Sequence, residues 1–390
     1  MIGFKLAYRN LIGAWKRTLL IVIVLSIAYF LIVFMNGMYQ GWDKQARIDM
    51  TAWEVGGGQY WQENFDPYDP FTLTDAHARV PSELSAHIKS GSIAPILISQ
   101  ATIYPEGRIQ SILLKGIGLD QKVLSIPTDQ LVTEEDAIPA IIGTRMARSA
   151  RLNVGDYLLI RWRDVNGTFD ATEVLITGIF ATTVPAVDNG QVWIPIEDMR
   201  EMLQMDGEAT MLVVADNDEA AQAIPGWEFK DHSVLFAELE ALIQSKSIGG
   251  SIFYLIMLAL ALLAVFDTQV LSIFRRQREI GTYISMGMTR REVIGLFTVE
   301  GAMHALMALV FAAAYGIPIL ILVAKRGIGM PEGTDEFGMA AAERIMPYYS
   351  LALILGSIIL VMITTTIVSY MPSRKIAKMN PTEAIRGRIQ

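Results

Sequence analysis

One apolar run sets the architecture of this chain: residues 250–274 read GSIFYLIMLALALLAVFDTQVLSIF. Asp267 is the one charged residue in this run. A helix of about 20 apolar residues, each adding about 1.5 Å, crosses the hydrocarbon core of a bilayer, which is about 30 Å thick. Further apolar runs lie at 18–38, 296–324 and 348–371. We therefore predict a membrane protein with four transmembrane helices (one plus three) and a large α+β extracytoplasmic domain, residues 39–249, between the first and the second.

The composition agrees with a chain that lies partly in lipid. Of the 390 residues, 52% are apolar and 18% are charged, whereas soluble domains average about 45–50% and about 25%. Cysteine is absent, which excludes a disulfide framework, a thiolate metal site and a cysteine nucleophile. The four histidines form no H-E-x-x-H motif, and the net charge of −8 argues against general nucleic-acid binding.

The basic residues predict the side of the membrane on which each segment lies. Residues 1–17, 275–292 and 372–390 together hold 14 Lys and Arg against 3 acidic residues, whereas residues 39–249 hold 15 basic and 31 acidic residues. Because cytoplasmic segments carry the excess of Lys and Arg, we expect 275–295 and both termini to be cytoplasmic, and 39–249 and the short loop 325–347 to be outside. The first run is 21 residues long, longer than a cleaved signal core of about 7–15 residues, so we expect a retained anchor.

The outside segment has the pattern of a folded domain. Apolar, β-branched runs bounded by turn residues predict strands, and amphipathic stretches predict helices. The last of these helices is expected to continue into the second transmembrane helix unless Gly249 and Gly250 interrupt it. The expected strands are 93–104, 109–117, 157–162, 174–180, 191–195 and 211–214, and the expected helices are 82–89, 144–152, 197–205 and 234–247.

Motifs for enzymatic chemistry are missing from the sequence. It contains no G-x-x-x-x-G-K-[ST] phosphate loop, no G-x-S-x-G and no G-x-G-x-x-G, so we expect no enzyme in this chain. Asp267 and Glu300 are acidic residues inside the predicted spans, where ionisable groups often have functional roles. Two roles stay open for them: a structural one, such as pairing with arginines at the cytoplasmic edge, and gating. His304 lies one helical turn after Glu300, and we favour a helix–helix hydrogen bond over a proton relay.

The segment between the second and third runs combines basic residues with glycines. It reads RRQREIGTYISMGMTRREV over residues 275–293, and Gly281 and Gly287 flank a short amphipathic piece. Thr289, with Glu292 three residues later, predicts a capping box at the start of the next helix. One interpretation is an interfacial helix attracted to anionic lipid. The other is a coupling helix that fits a groove on a cytoplasmic partner.

These motifs resemble those of the FtsX-like ABC permeases, a family that includes MacB and the LolC and LolE lipoprotein-release subunits. R-x-R-E-I-G at 276–281, with G-x-T-R-R-E-V-I at 287–294, resembles the cytoplasmic loop of that family. The sequence departs from the family at Ile284-Ser285-Met286, where small residues are usual, and it carries no fused ATPase before the first span, unlike MacB. Three further places agree in family order: the start at 6–11 with 17–19, the outside domain at 141–147 with 152–156 and at 178–180 with 192–195, and the C-terminal pattern at 372–386.

The resemblance implies a permease that performs no chemistry itself. It implies a separate ABC ATP-binding subunit in two copies, which holds ATP and Mg, a second permease copy (identical or not), an amphipathic helix at 1–17, a cytoplasmic tail at 372–390, and a place in the bacterial inner membrane. ATP binding would move the cytoplasmic segment and tilt the first two spans, so that the outside domain moves. The residues expected to couple to the ATP-binding subunit are Arg278, Glu279, Ile280, Gly281, Gly287, Thr289 and Arg290.

The substrate is less constrained by the sequence than the mechanism. Aromatic residues after the first span, Trp53, Tyr60, Trp61 and Phe65, are candidate contacts for a substrate or partner, although we favour a satellite core or an interfacial belt. The resemblance leaves three functions: release of lipoproteins, efflux of peptide- or antibiotic-like amphiphiles with a periplasmic adaptor, and mechanotransmission to a cell-wall hydrolase. We rank release first. Mechanotransmission comes last because it is expected to have a smaller outside domain.

Overall fold

The computed structural model describes residue 13 and residues 15–215, 223–329 and 344–378. The chain divides into a helical unit, residues 1–43, 242–328 and 345–390, and a β-rich unit, residues 44–241 and 329–344. Most of the expected amphipathic helix at 1–17 lies outside the described residues. So do residues 379–386 of the C-terminal pattern and most of the expected loop at 325–347.

Four long helices contain most of each predicted apolar run. The first spans Trp15–Met50, the second Ala237–Arg275, the third Arg290–Arg326 and the fourth Leu351–Ser373. Each is long and apolar enough to cross a membrane. A helix suits lipid because it satisfies its backbone hydrogen bonds within one segment. A single turn of π-helix, Thr51–Val55, follows the first helix directly.

The long helices pack through one side and leave the other apolar and uncovered. A buried cluster includes Leu25 of the first helix, Val265 of the second, Ala308 of the third and Val361 of the fourth. Exposed apolar residues remain on the outer faces, such as Leu260, Val310 and Ile363. A helix that is apolar all round is typical of a membrane span.

The second helix confirms the prediction of one continuous element. Gly249 and Gly250 lie inside it, and the short helix His232–Leu235 precedes it. The expected helix at 234–247 therefore begins three residues later, at Ala237, and continues to Arg275. Its 39 residues correspond to a length of about 58 Å.

In its described residues, the β-rich unit contains one large mixed sheet and four short α-helices besides His232–Leu235 and the start of the second long helix. The helices are Ser85–Ser90, Thr144–Ala150, Pro185–Asp188 and Ile196–Leu203. The strands in chain order are β1 Gly58–Gln62, β2 Ala78–Arg79, β3 Ile93–Ile103, β4 Gln110–Ile117, β5 Ile138–Gly143, β6 Tyr157–Arg163, β7 Phe169–Phe180, β8 Gln191–Pro195, β9 Glu208–Ala209, β10 Met211–Val214 and β11 Trp227–Lys230. Two further short strands, Ile328–Gly329 and Arg344–Ile345, stand outside this set.

Six of these strands close into a ring. The sheet order is β11-β1-β10-β3-β4-β8-β5-β7-β6, and β6 also pairs with β3 through Ala101–Ile103. Closure leaves β6 without an unpaired edge, and β11 remains as an edge of the sheet. Each strand of the ring contributes to one buried core cluster, with Leu97, Leu114, Ile142, Ile160, Ile176 and Ile194 in the order β3, β4, β5, β6, β7 and β8.

The predicted fold class is confirmed, with differences in single elements. The strands predicted at 191–195 and 211–214 have the observed bounds. β7 begins five residues before its predicted start, and β5 and β11 were not predicted. β5 carries Pro139 and ends at Gly143, and β11 is a four-residue strand at the edge of the sheet. Such short or proline-containing runs give a weak strand signal.

Candidate coupling site

A short helix, Gln277–Ser285, joins the second long helix to the third, and we call it the coupling helix. Arg276 leaves helical geometry for one residue before it, with φ −104° and ψ 21°. Gly287 follows the coupling helix at φ +100°, a conformation that favours glycine. The amphipathic piece is therefore not bounded by both glycines, as the sequence suggested, because Gly281 lies inside the helix.

The third long helix begins with the predicted capping box, which is confirmed. The Thr289 backbone N–H donates to Glu292 Oε2 at 2.7 Å, and the Glu292 N–H donates to Thr289 Oγ1 at 3.3 Å. Two N-terminal donors are satisfied in this reciprocal arrangement. The turn between the two helices is thus closed by Gly287 on one side and by the cap on the other.

The inner face of the coupling helix is apolar and fully packed. Ile280 has no exposed surface and belongs to a buried cluster with Ile273, Val293, Phe297 and Ile376. These residues come from the second helix, the third helix and the turn of 3₁₀-helix Arg374–Lys378. The inner face therefore anchors the coupling helix within the helical unit.

The outer face of this segment carries most of the predicted coupling residues. Arg278, Glu279, Gly287, Thr289 and Arg290 are exposed. Ile280 and Gly281 are buried, which corrects the expectation that they contact a partner. Ile280 instead packs in the buried cluster that holds the coupling helix in place.

Arg276 connects the coupling helix to the third long helix. Its Nε donates to Glu279 Oε2 at 2.7 Å, and its Nη1 donates to Glu300 Oε2 at 2.9 Å and to Oε1 at 3.2 Å. Its guanidinium also lies over the Phe297 ring, 4.9 Å from the centroid. The side chains of Arg276 and Glu300 are 16% and 8% exposed. Because this pairing is largely shielded from water, each charge depends on the other.

Glu300 and Asp267 occupy different environments. Glu300 is paired with an arginine, one of the two roles left open by the sequence, whereas Asp267 lies on an exposed face of the second long helix. His304 Nδ1 lies 3.0 Å from the Glu300 carbonyl oxygen. This bond lies within one helix, which corrects the expected helix–helix bond. The sequence reasoning missed Arg276, although its spacing of three from Glu279 is an available signal.

The aromatic residues after the first long helix pack in the β-rich unit. Trp53 stacks on Phe180 with centroids 5.6 Å apart, and Trp61 meets Phe65 edge-on at 5.2 Å. Tyr60 is 1% exposed, which corrects its assignment as a substrate contact. Trp53, Trp61 and Phe65 are partly buried and pack against a core cluster. The described residues contain no group of three or more His, Cys, Asp or Glu able to hold a metal ion.

Comparison with known proteins places this site in a family. Residues 251–381 match the family described as FtsX-like permease C-terminal. The chain contains an FtsX-like permease domain. The coupling helix, Arg276, Asp267, Glu300 and the capped turn all lie within this domain. The aromatic residues at 53–65 precede it.

The permease domain is accompanied by homology to ABC transporter permeases. An uncharacterized ABC transporter permease of Methanocaldococcus jannaschii is 29% identical over 163 residues, 40% of this chain and 38% of the relative. The lipoprotein-releasing system transmembrane protein LolC of Xylella fastidiosa is 20% identical over 327 residues, 75% of this chain and 77% of LolC. The pyoverdine export ATP-binding/permease protein PvdT of Pseudomonas fluorescens is 24% identical over 123 residues, 32% of this chain and 16% of PvdT.

Among solved structures, the extracellular domain of the noncanonic ABC-type transporter YknZ from Gram-positive bacteria aligns with 42% of this chain. The alignment covers 83% of the YknZ chain at 12% identity, with a TM-score of 0.25. A TM-score this low does not establish a shared fold. Among the sequence relatives, this chain covers 38% of the length of the archaeal permease and 77% of the length of LolC.

Proposed function

We propose that this chain is the membrane subunit of an ABC transporter and that its coupling helix docks on a separate ATP-binding subunit. One observation carries this proposal: the helix is anchored by a buried inner face while it presents an exposed polar face, with Arg278 and Glu279. A lipid-associated helix would instead turn its apolar side outward to the membrane. Here that side is occupied by Ile273, Val293 and Phe297.

The charge distribution supports a cytoplasmic position for this face. Basic residues dominate the segments around the coupling helix and at both ends of the sequence, and acidic residues dominate 39–249. We therefore propose that the chain lies in a bacterial inner membrane with residues 39–249 on the outer side. ATP and Mg belong to the ATP-binding subunit in this arrangement. Two copies of that subunit would act on a pair of permease chains.

Continuity of the second long helix supports a mechanical output. The helix runs without a break from Ala237 to Arg275, and the coupling helix follows its end after one residue. We propose that movement of the coupling helix turns or tilts this one helix, whose first residues, 237–241, belong to the β-rich unit. The proposed transport step is movement of the outside domain, with no reaction in this chain.

Among the substrates, we propose lipoproteins that are released from the inner membrane. The match with LolC extends over 75% of the chain, whereas the match with the pyoverdine export protein extends over 32%. The second candidate is efflux of an amphiphile with a periplasmic adaptor, which the export relative favours. Mechanotransmission to a cell-wall hydrolase has no relative of that description among these proteins.

The test is purification of the tagged chain in mild detergent, followed by mass spectrometry and ATPase assays. We expect an ABC ATP-binding subunit to co-purify and a lipoprotein to be released in an ATP-dependent manner. Glu279→Lys should reduce recovery of the ATP-binding subunit, because it reverses a charge on the docking face. Glu83→Lys makes the same change on an exposed residue of the β-rich unit and serves as the matched control.

Each outcome has a defined meaning. A chain that purifies folded but without any ATP-binding subunit contradicts the proposed function. If the ATP-binding subunit co-purifies with a periplasmic adaptor and without a lipoprotein, efflux of an amphiphile becomes the preferred function and lipoprotein release is contradicted. Equal recovery with Glu279→Lys and Glu83→Lys contradicts the docking face and leaves the transporter assignment standing.

A further inference from the structure

Besides the packing of Ile280 against Val293 and Phe297, the coupling helix is attached to the third long helix at each of its two ends. One attachment is covalent, through the turn that contains Gly287 and Thr289. The other is at the opposite end of the coupling helix, where Arg276 reaches Glu300. Glu300 lies ten residues after Arg290, the first residue of the third helix, which corresponds to about 15 Å along the helix axis.

The covalent attachment alone does not set the angle between the two helices. Gly287 adopts φ +100° and has no neighbouring atom within 4 Å of the position that a Cβ would occupy. A glycine in open space gives the turn conformational freedom. The packing of Ile280 against Val293 and Phe297 holds the middle of the coupling helix. An attachment at the end distant from the turn adds to this packing and resists rotation of the helix under a load on its outer face.

Arg276 has the geometry for this second attachment. Its Nε holds Glu279, which belongs to the coupling helix, and its Nη1 holds both carboxylate oxygens of Glu300, which belongs to the third helix. The planar guanidinium fixes these two directions relative to each other, unlike the single ammonium of a lysine. The Phe297 ring, whose centroid is 4.9 Å from the guanidinium carbon, adds a cation–π contact from the third helix.

We propose that Arg276 is a positioning residue that makes the coupling helix and the third long helix one rigid lever. A push on Arg278 and Glu279 then reaches the third helix through Glu300 as well as through the turn. This inference rests on the proposed function for the source of the push. The rigidity itself is a property of the chain alone and can be measured without a partner.

The test measures the distance between spin labels on the two helices. The sequence contains no cysteine, so Thr282→Cys on the coupling helix and Val310→Cys on the third helix give one labelled pair. Thr282 is exposed, and Val310 is 65% exposed. Pulsed electron spin resonance on the purified full chain should give one narrow distance distribution, which stays unchanged when the ATP-binding subunit and ATP are added.

The labelled protein is compared with three variants of the Arg276–Glu300 ion pair and with one control variant. Arg276→Gln should broaden the distribution, and so should Arg276→Lys, because lysine cannot hold both acids in a fixed plane. The double variant Arg276→Gln with Glu300→Gln leaves no unpaired buried charge, so it tests the link if a single variant fails to fold. Arg275→Gln removes the exposed neighbouring charge and should leave the distribution narrow.

Binding of the ATP-binding subunit and substrate release per ATP show whether the Arg276–Glu300 contact transmits movement or only stabilises the fold. With the ATP-binding subunit present, we expect the variants to keep its binding, because the exposed residues Arg278, Glu279 and Arg290 are all retained. Substrate release per ATP hydrolysed should fall roughly tenfold, within the usual range of coupling between sites. A narrow, unchanged distance distribution in a folded double variant would overturn the inference. A wild-type chain that binds no ATP-binding subunit contradicts the proposed function instead, and the distance measurement still decides on the link.

Discussion

At the scale of single residues, Gly287 and Gly295 offer a matched pair in the permease domain. Gly287 has a positive φ of +100°, whereas Gly295 lies inside the third long helix with open space at its Cβ position. Gly287→Ala should destabilise the turn by about 1–3 kcal/mol because the backbone is strained for any other residue. Gly295→Ala should stabilise the helix by up to about 1 kcal/mol. Thermal unfolding of both variants in detergent would check the opposite signs, and equal midpoints would contradict the role of the turn.

Gly301 marks the close approach of the third and fourth long helices. A Cβ at this position would overlap the Ser369 side chain and lie 3.0 Å from Gln269 Nε2. Gly301→Ala should therefore separate the two helices and destabilise the protein by about 1–3 kcal/mol. Gly356→Ala on the fourth helix meets no neighbouring atom and is the control. Thermal unfolding monitored by circular dichroism measures both, and two variants of equal stability would show that the contact is dispensable.

Lys115 is a buried cation in the β-rich unit, where a pH dependence can be assigned to it. It is 6% exposed, and its Nζ lies 5.0 Å from the centroid of the Trp193 ring. Burial lowers the pKa of Lys115 from 10.5, and the charge of Glu54 opposes this shift. Since the unfolded state then binds more protons than the folded state below pH 10.5, the stability contributed by this group rises as the pH rises toward that value.

Lys115→Met isolates this contribution because methionine keeps the apolar stem without a charge. We expect the variant to be as stable as wild type or more stable near neutral pH, since a buried charge is replaced by an apolar group. The difference should shift in favour of wild type as the pH rises toward about 10. Melting temperatures of both proteins over that range test the sign. If the melting temperature of the variant rises relative to that of wild type as the pH rises, burial does not lower the pKa of Lys115 as expected.

Local chemistry at this scale is predictable from the sequence, and partners at a distance are not. The capping box of Thr289 and Glu292 was predicted because its two residues are only three positions apart in the sequence, and this spacing determines the geometry. Pairing with an arginine was one of the roles left open for Glu300, but its partner Arg276 is 24 positions away on another element. Which arginine meets Glu300 depends on how the helices pack against one another. The burial of Ile280 likewise depends on Val293 and Phe297, which no spacing rule brings together.

At the scale of elements, the continuity of the second long helix carries the mechanical proposal. Gly249 lies inside this helix with open space at its Cβ position. Gly249→Pro should break the helix at a cost of about 3 kcal/mol, whereas Gly249→Ala should be tolerated. We expect the proline variant to bind and stimulate the ATP-binding subunit but to lose substrate release. Substrate-release assays on both variants decide this. Full release by a folded proline variant would show that transport does not need a continuous second long helix.

Elements with a strong period were predictable, and their pairings were not. The apolar runs of the long helices and strands such as 191–195 follow from length and alternation. The ring closure between β3 and β6 depends on Ala101–Ile103 meeting Ile160–Trp162, more than 50 positions apart. Nothing in either strand alone specifies that partner, because pairing at long range is decided by the whole core.

At the scale of the whole molecule, the charge asymmetry makes a prediction about sidedness. The segments around the coupling helix and at the ends of the sequence are basic, and residues 39–249 carry 31 acidic against 15 basic residues. Since transfer of basic segments across the membrane is disfavoured, the coupling turn and the β-rich unit should lie on opposite sides. The absence of cysteine allows each side to be probed with a single introduced thiol.

Met286→Cys and Ser85→Cys form the pair of probes. Met286 is 78% exposed beside the coupling helix, and Ser85 is exposed in the β-rich unit. In spheroplasts, a membrane-impermeant maleimide should label the cysteine at 85 at once and the cysteine at 286 only after permeabilisation. Labelling of both in the denatured protein is the control for thiol reactivity. The reverse pattern would place the coupling helix outside, where no ATP-binding subunit could reach it, and would contradict the proposed function at its first step. The expected pattern would put the exposed face of Arg278 and Glu279 on the side where ATP is available, as docking requires.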